Sequence, residues 1–154
     1  MNVSIRRMTL EDVPIVHEID TLSFSLPWPE RSFRFELAEN PVSRGWVAES
    51  GGRIASMLVL WLIVDEAHIA TIATHPDFRR QGMGEQLMIT ALVSARDEGA
   101  RRAFLEVRAG NAGALGMYKK YGFVVVAVRL HYYQDNNEDA ILMNLEDLNS
   151  LESV

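Results

Sequence analysis

Ile72-Ala73-Thr74-His75-Pro76-Asp77-Phe78-Arg79-Arg80-Gln81-Gly82-Met83-Gly84 is the stretch that decides how this chain reads. It starts as the end of an apolar, partly β-branched run, Ala67 to Thr74, that His75-Pro76 breaks, so a strand is expected there. It ends inside a helix: from Gly82 to Glu98 the residues Leu87, Ala91, Leu92 and Ala95 recur on one side, and Gly99 follows as a natural C-terminal cap. Between strand and helix, two glycines let the backbone come close to a ligand, and the unpaired N–H groups of the first helical turn point toward the same space. Arg79 and Arg80 add two positive charges, which suits a pyrophosphate. A Gly-x-Gly alone is also compatible with a plain loop on a basic flank, and it is the strand before and the amphipathic helix after that favour the anion site.

Working outward toward the N-terminus, Trp46-Val47-Ala48 and Ile54 to Val64 are β-rich runs on either side of Ser50-Gly51-Gly52, the signature of an antiparallel hairpin. Val3 to Arg6 reads as a first strand, and Thr9 with Glu11 and Asp12 as the start of a helix reaching about Ile19. Leu26-Pro27-Trp28-Pro29 interrupts; Pro29 suits the first position of a second helix that ends at Asn40-Pro41. Toward the C-terminus, Ala103 to Val107 reads as a strand, Ala112 to Lys120 as a short helix stopped by Gly122, and Phe123 to Arg129 as a strand. A turn at Asp135-Asn136-Asn137 leads into a last strand, Ala140 to Leu145. The order β, two helices, three strands, helix, strand, helix, two strands predicts a mixed α/β sheet in one domain over residues 1–154, with no linker or repeat.

Composition narrows the function. At 154 residues with 48% apolar and 23% charged side chains, the chain can bury a core without disulfides, and no run approaches the roughly 18 apolar residues of a membrane span. The start, Met1 to Arg7, lacks a long apolar segment and there is no cysteine, so a cytoplasmic location is expected. Without cysteine there is no thiolate nucleophile and no Cys-ligated zinc, and no His-x-x-x-His or carboxylate cluster suggests another metal. A net charge of −6 gives nucleic acid no electrostatic footing and makes a cationic amine or basic peptide the natural guest.

With the phosphate loop in this setting, the chain resembles the Gcn5-related N-acetyltransferase superfamily over nearly its whole length, and within it the ribosomal-protein-alanine N-acetyltransferases (RimI-like). Leu26 to Glu30, Ile72 to Gly84, Leu105-Glu106-Val107-Arg108, Asn111, Leu115 to Phe123, Tyr132-Tyr133 and Glu138-Asp139-Ala140 carry the likeness in order. The resemblance implies a twisted central sheet, flanked by helices and splayed between the Ala67–Thr74 and Ala103–Val107 strands. Acetyl-CoA would lie in that cleft against Ile72, Ala73 and Thr74, with its phosphates on Arg79, Arg80, Gln81, Gly82, Met83, Gly84 and Glu85, and with Asn111 and Tyr118 beside it. The Leu26-Pro27-Trp28 loop and the Tyr132-Tyr133 hairpin would flank an acceptor, here a protein N-terminus, in the likeness that of a ribosomal protein. Thr74 stands where the family usually has Val, and Tyr121 where Leu commonly precedes Gly-Phe.

Transfer of an acetyl group to an amine by direct attack in a ternary complex needs a base for the amine, a donor for the carbonyl oxygen and a proton for the thiolate. Strand alternation turns Glu106 away from Leu105 and Val107, which by itself fits a solvated carboxylate as well as a base. The Tyr118 phenol suits a thiolate's proton source, and periodicity equally fits a core tyrosine packed with Tyr121 and Phe123. The likeness assigns Glu106 as the base and Tyr118 as the acid, with backbone N–H near Ala73 holding the thioester oxygen. His68 and His75 read as surface residues, and Phe24, Trp28 and Phe33 as core. Two other functions fit the same loop: acetylation of a small-molecule amine or a lysine side chain, and a non-catalytic acyl-CoA sensor, which would have no use for Glu106 and Tyr118.

Overall fold

Strand and helix patterning resolves into β1 (Val3–Arg7), α1 (Val13–Ser23), α2 (Glu30–Ala38), β2 (Ser43–Ser50), β3 (Arg53–Ile63), β4 (Glu66–Thr74), α3 (Met83–Asp97), β5 (Arg102–Arg108), α4 (Ala112–Lys120), β6 (Val124–Arg129) and β7 (Ala140–Leu145). The structure, a computed structural model, describes residues 2–151. The element order is the one the sequence predicts, with three corrections at the boundaries. A short 3₁₀ turn, Leu10–Asp12, precedes α1, and α1 continues a turn past Ile19 to Ser23, whose Oγ donates to the Ile19 carbonyl at 2.7 Å. Pro29 is not inside α2; it is the extended residue before it (φ −62°, ψ 151°), and Glu30 takes the first helical position. β3 ends at Ile63, and Val64 belongs to the following turn.

The strands form a seven-stranded sheet in the order β1-β2-β3-β4-β5-β7-β6, in which only β4 and β5 run parallel. α3 covers one face: Leu87, Met88 and Leu92 pack with Leu58, Leu60, Ile69 and Leu105. α1 and α2 cover the other, where Val13, Val16, Ile19 and Phe33 meet Val47, Met57 and Val59. Gly51 (φ 59°) and Gly52 (φ 78°) form the two-residue β2–β3 turn, in the left-handed region that this hairpin requires. Gly99 (φ 108°) ends α3 with Ala100 N–H bonded to the Ala95 carbonyl at 3.0 Å and Gly99 N–H to that of Arg96 at 2.9 Å, a Schellman cap. Gly122 (φ 97°) ends α4 in the same way, Phe123 N–H reaching the Tyr118 carbonyl at 3.1 Å.

One irregularity shapes the middle of the sheet. Leu60 pairs with Ile69 but its neighbour Val59 pairs with Thr71, so Ala70 is an extra residue on β4, a β-bulge. Strict alternation would place Ile72 opposite Ile69; instead both pack on the α3 side, while Ala70 and Ala73 pack on the α1–α2 side. The bulge falls where β4 parts from β5, whose pairing runs from Glu66↔Arg102 only to Ile69↔Leu105. From Ala70 to Thr74, β4 keeps β3 on one side and has no strand on the other.

Two substitutions test this reading of the turns. Val64, 97% exposed and at φ 58°, is a β-branched residue held where glycine is favoured. Val64→Gly is expected to raise stability by about 1 kcal/mol through relief of backbone strain, and Gly99→Ala to lower it by about 1 kcal/mol. Urea denaturation with unchanged m-value measures both.

Candidate active site

The gap between β4 and β5 opens into a cavity of about 1020 Å³, large enough for an extended ligand. Its walls come from distant parts of the chain. β4 contributes Ile72, Ala73 and Thr74, and the loop into α3 contributes Arg79, Arg80, Gly82, Met83, Gly84 and Glu85. β5 contributes Glu106, α4 and its cap contribute Asn111 and Tyr118, and Leu26, Trp28 and Tyr133 come from the two flanking loops. Of the positions singled out in the sequence, Gln81, Pro27 and Tyr132 do not line the cavity.

At the start of α3 the two glycines have different reasons to be glycine. Gly82 precedes the helix in the left-handed region (φ 77°, ψ 9°), as does Arg80 (φ 65°), so the chain reverses tightly and turns the N–H groups of Met83, Gly84 and Glu85 outward. Gly84 has an ordinary φ, but a Cβ there would stand 3.1 Å from Thr74 Oγ1, against the strand that lines the cleft. Arg79 does not hang free: its Nε donates to the Thr74 carbonyl at 3.0 Å and its Nη2 to Ser23 Oγ at 3.3 Å, fixing the loop to β4 and α1. Glu85 ties the first turn of α3 to the end of α4, accepting from Lys120 Nζ at 2.6 Å and from the Tyr121 hydroxyl. These bonds, that of Lys120 first, hold its carboxyl below the usual range. Tyr121 supplies the hydroxyl of this contact.

Glu106 is exposed between buried Leu105 and Val107, so alternation delivers its carboxylate to the cleft face of β5. Tyr118, on α4, also lines the cavity and is only 4% exposed, with its ring 5.6 Å from that of Phe123. It is both a core residue and a wall of the cavity. Burial pushes its phenol up to about 12, and it keeps its proton through the neutral range. Asn111 caps α4, its Oδ1 accepting from Ala114 N–H at 3.2 Å, so at least one of its polar atoms is engaged in holding the helix.

Several wall residues were not picked out from the sequence. Arg108, two positions from Glu106 on the same strand face, donates to Asp135 at 3.0 and 3.1 Å and to Glu138 at 3.3 Å, with its guanidinium 3.9 Å from the centre of the Tyr133 ring. Glu138 also accepts from Gly110 N–H at 2.6 Å, the first cause of its lowered pKa. Asp20, at the end of α1, is 1% exposed yet reaches the wall. Arg108 and Glu138 sit in segments that carry the family likeness; Asp20 has no local signal, because an acid on a helix normally reads as surface.

The profile of the acetyltransferase (GNAT) family matches residues 13–123. The chain belongs to the GNAT acetyltransferases. A Bacillus subtilis protein named as a candidate ribosomal protein bS18-alanine N-acetyltransferase is 42% identical over 91% of this chain and 93% of its own. The crystal structure of the Escherichia coli ribosomal-protein-S18-alanine N-acetyltransferase, 31% identical, superposes with a TM-score of 0.86 over 94% of this chain and 93% of that one. A GNAT acetyltransferase from Elizabethkingia anophelis, solved with acetyl-CoA bound, shares the fold at a TM-score of 0.77 and 23% identity, covering 94% of this chain and 98% of its own. This GNAT protein is thus an N-acetyltransferase, of a family that uses acetyl-CoA. Among its described residues no group of three or more His, Asp or Glu side chains is placed to share a metal ion.

Replacing the phenol separates its two parts. Tyr118→Phe is expected to lower kcat by roughly 10²-fold, with the acetyl-CoA dissociation constant and melting temperature little changed because the ring still packs on Phe123. In the wild type, the high phenol pKa predicts no loss of kcat/KM from Tyr118 ionisation up to about pH 11. Normal kcat in the variant would confine Tyr118 to the core.

Proposed function

We propose that this protein acetylates the N-terminal α-amine of a protein, with a ribosomal protein bearing N-terminal alanine as its acceptor, by direct transfer from acetyl-CoA in a ternary complex. The reading rests on one arrangement: an acid–base pair, Glu106 and Tyr118, on the walls of the cleft that runs from the phosphate loop past the unpaired edge of β4. The acceptor is inferred from the relatives, two of which carry ribosomal protein alanine acetylation in their names.

In this account the N–H groups of Met83, Gly84 and Glu85 and the left-handed turn at Gly82 hold the pyrophosphate, and the free edge of β4 from Ile72 to Thr74 aligns the pantetheine arm. Acetyl-CoA supplies an activated thioester. An N–H near Ala73 polarises its carbonyl oxygen, Glu106 takes the amine's proton directly or through one water, and Tyr118 gives its proton to the leaving sulfur. The Leu26–Trp28 loop and Tyr133 bound the acceptor side. A sensor would need the phosphate loop without the second half of this set.

The pKa of the acceptor favours an N-terminus. An α-amine near ~7.8 is about 14% neutral at pH 7, whereas a lysine near ~10.4 is about 0.04% neutral, a handicap of roughly 3.5 kcal/mol. With free-N-terminus peptides beginning with Ala, turnover is therefore expected to exceed that of the same peptide blocked at its N-terminus and carrying a lysine, across pH 6 to 9. Glu106→Gln is expected to cost most at the low end of that range, where the amine is most protonated. Faster turnover of the blocked peptide, read by mass spectrometry, would overturn the N-terminal reading and leave the family intact.

A further inference from the structure

For transfer, the amine, the acyl carbon and the base must meet within about 3–3.5 Å, and a misplacement of about 1 Å is costly. In the reading above these three are carried by separate elements: the acyl group by β4, the base by β5, and the amine by the loop from Phe24 to Pro29. Something must hold that loop in register with both strands. We infer that two carboxylates, Asp20 and Asp135, do so, and that they are positioning residues for the acceptor without touching it; the inference rests on the proposed cleft and deepens it.

Asp20 ties the loop to β4. Its Oδ2 accepts from the Trp28 N–H at 2.7 Å, and its Oδ1 lies 3.4 Å from Thr71 Oγ1, a residue of the bulge. At 1% exposure it is a buried carboxylate with few donors, its pKa raised by burial, a placement that is unfavourable unless the bonds it makes are needed. The indole it positions is wedged between Phe33, at 5.2 Å, and Trp61, at 6.5 Å, so the backbone bond and the ring packing together fix the loop's inner end.

Asp135 ties the same loop to β5. One of its oxygens accepts from the Ser25 hydroxyl, and both accept from Arg108, which stands two residues from Glu106 on the same face. Ser25 and then Arg108 hold this carboxyl below its usual range, so it is ionised wherever the enzyme works. Arg108 in turn lies against Tyr133 and bonds Glu138, so the hairpin loop before β7 is drawn over the cleft and meets the Phe24–Pro29 loop from the opposite side. The loop that bears the amine is thereby referenced at Trp28 to the donor strand and at Ser25 to the base strand.

Steady-state kinetics of the full chain with acetyl-CoA and the best acceptor of an amine panel tests this. Ser25→Ala and Asp135→Ala are each expected to lower kcat/KM for the acceptor roughly tenfold, with the acetyl-CoA KM near wild type. Because Ser25→Ala breaks a tie that Asp135→Ala also breaks, the double variant should be no worse than Asp135→Ala alone. Asp20→Ala should lower the same ratio, and Asp20→Asn, which keeps an oxygen for the Trp28 N–H, should restore it. An unchanged kcat/KM for the acceptor, a double variant worse than Asp135→Ala, or equal behaviour of Asp20→Asn and Asp20→Ala would overturn the inference. Melting temperatures separate a purely structural role, since Ser25 lies on the surface and its loss should not unfold the chain. Failure of the N-terminal reading would instead appear in the wild type, as preference for another amine in the panel.

Discussion

The extra residue at Ala70 is the constraint on which the rest depends. A regular β4 would continue its pairing with β5 beyond Ile69↔Leu105, and the sheet would close. The bulge turns the strand where the pairing stops, which leaves Thr71 to Thr74 paired with β3 alone and presents backbone N–H and C=O groups to a cleft. Unpaired backbone groups inside a protein are costly unless a ligand or water satisfies them. A sheet with such an opening has its ligand's hydrogen bonds built into its backbone.

Around that opening the helices act as supports as much as cover. The loop after β4 is anchored back to the Thr74 carbonyl by Arg79, and Gly84 lets α3 approach the same residue. α4 is pinned at both ends, by Asn111 at the start and by the Gly122 cap, whose bond to the Tyr118 carbonyl fixes the turn that carries the phenol. Glu85 then joins α3 to α4 through Lys120 and Tyr121, so the phosphate loop and the phenol are connected outside the sheet as well as through it.

Much of this was legible in the sequence where a residue's chemistry forces one conformation. Gly51-Gly52, Gly99 and Gly122 each marked a turn or cap that the backbone realises with positive φ, and the alternation around Glu106 turned its carboxylate away from buried Leu105 and Val107. The bulge was not legible, because Ile69, Ala70, Ile72 and Ala73 are apolar and buried or half-buried on both sides of the sheet, so the slip in alternation leaves no polar trace. Val64 was misplaced for a related reason: a β-branched residue extends a strand pattern, and only the two-residue pairing Ile63↔Glu66 forces it into the turn. The candidate site's chemical groups were named from motif likeness, while Asp20, Asp135 and Ser25 were missed because their partners lie up to 110 residues away along the chain.

Amide hydrogen exchange on the full chain, with and without acetyl-CoA, tests most directly whether the open edge of β4 is the donor's seat. New protection is expected at cleft-facing amides within Ala70 to Thr74 and at Met83 to Glu85, with the β3–β4 amides nearer Glu66 unchanged. Tight binding of acetyl-CoA with no added protection in either segment would contradict it.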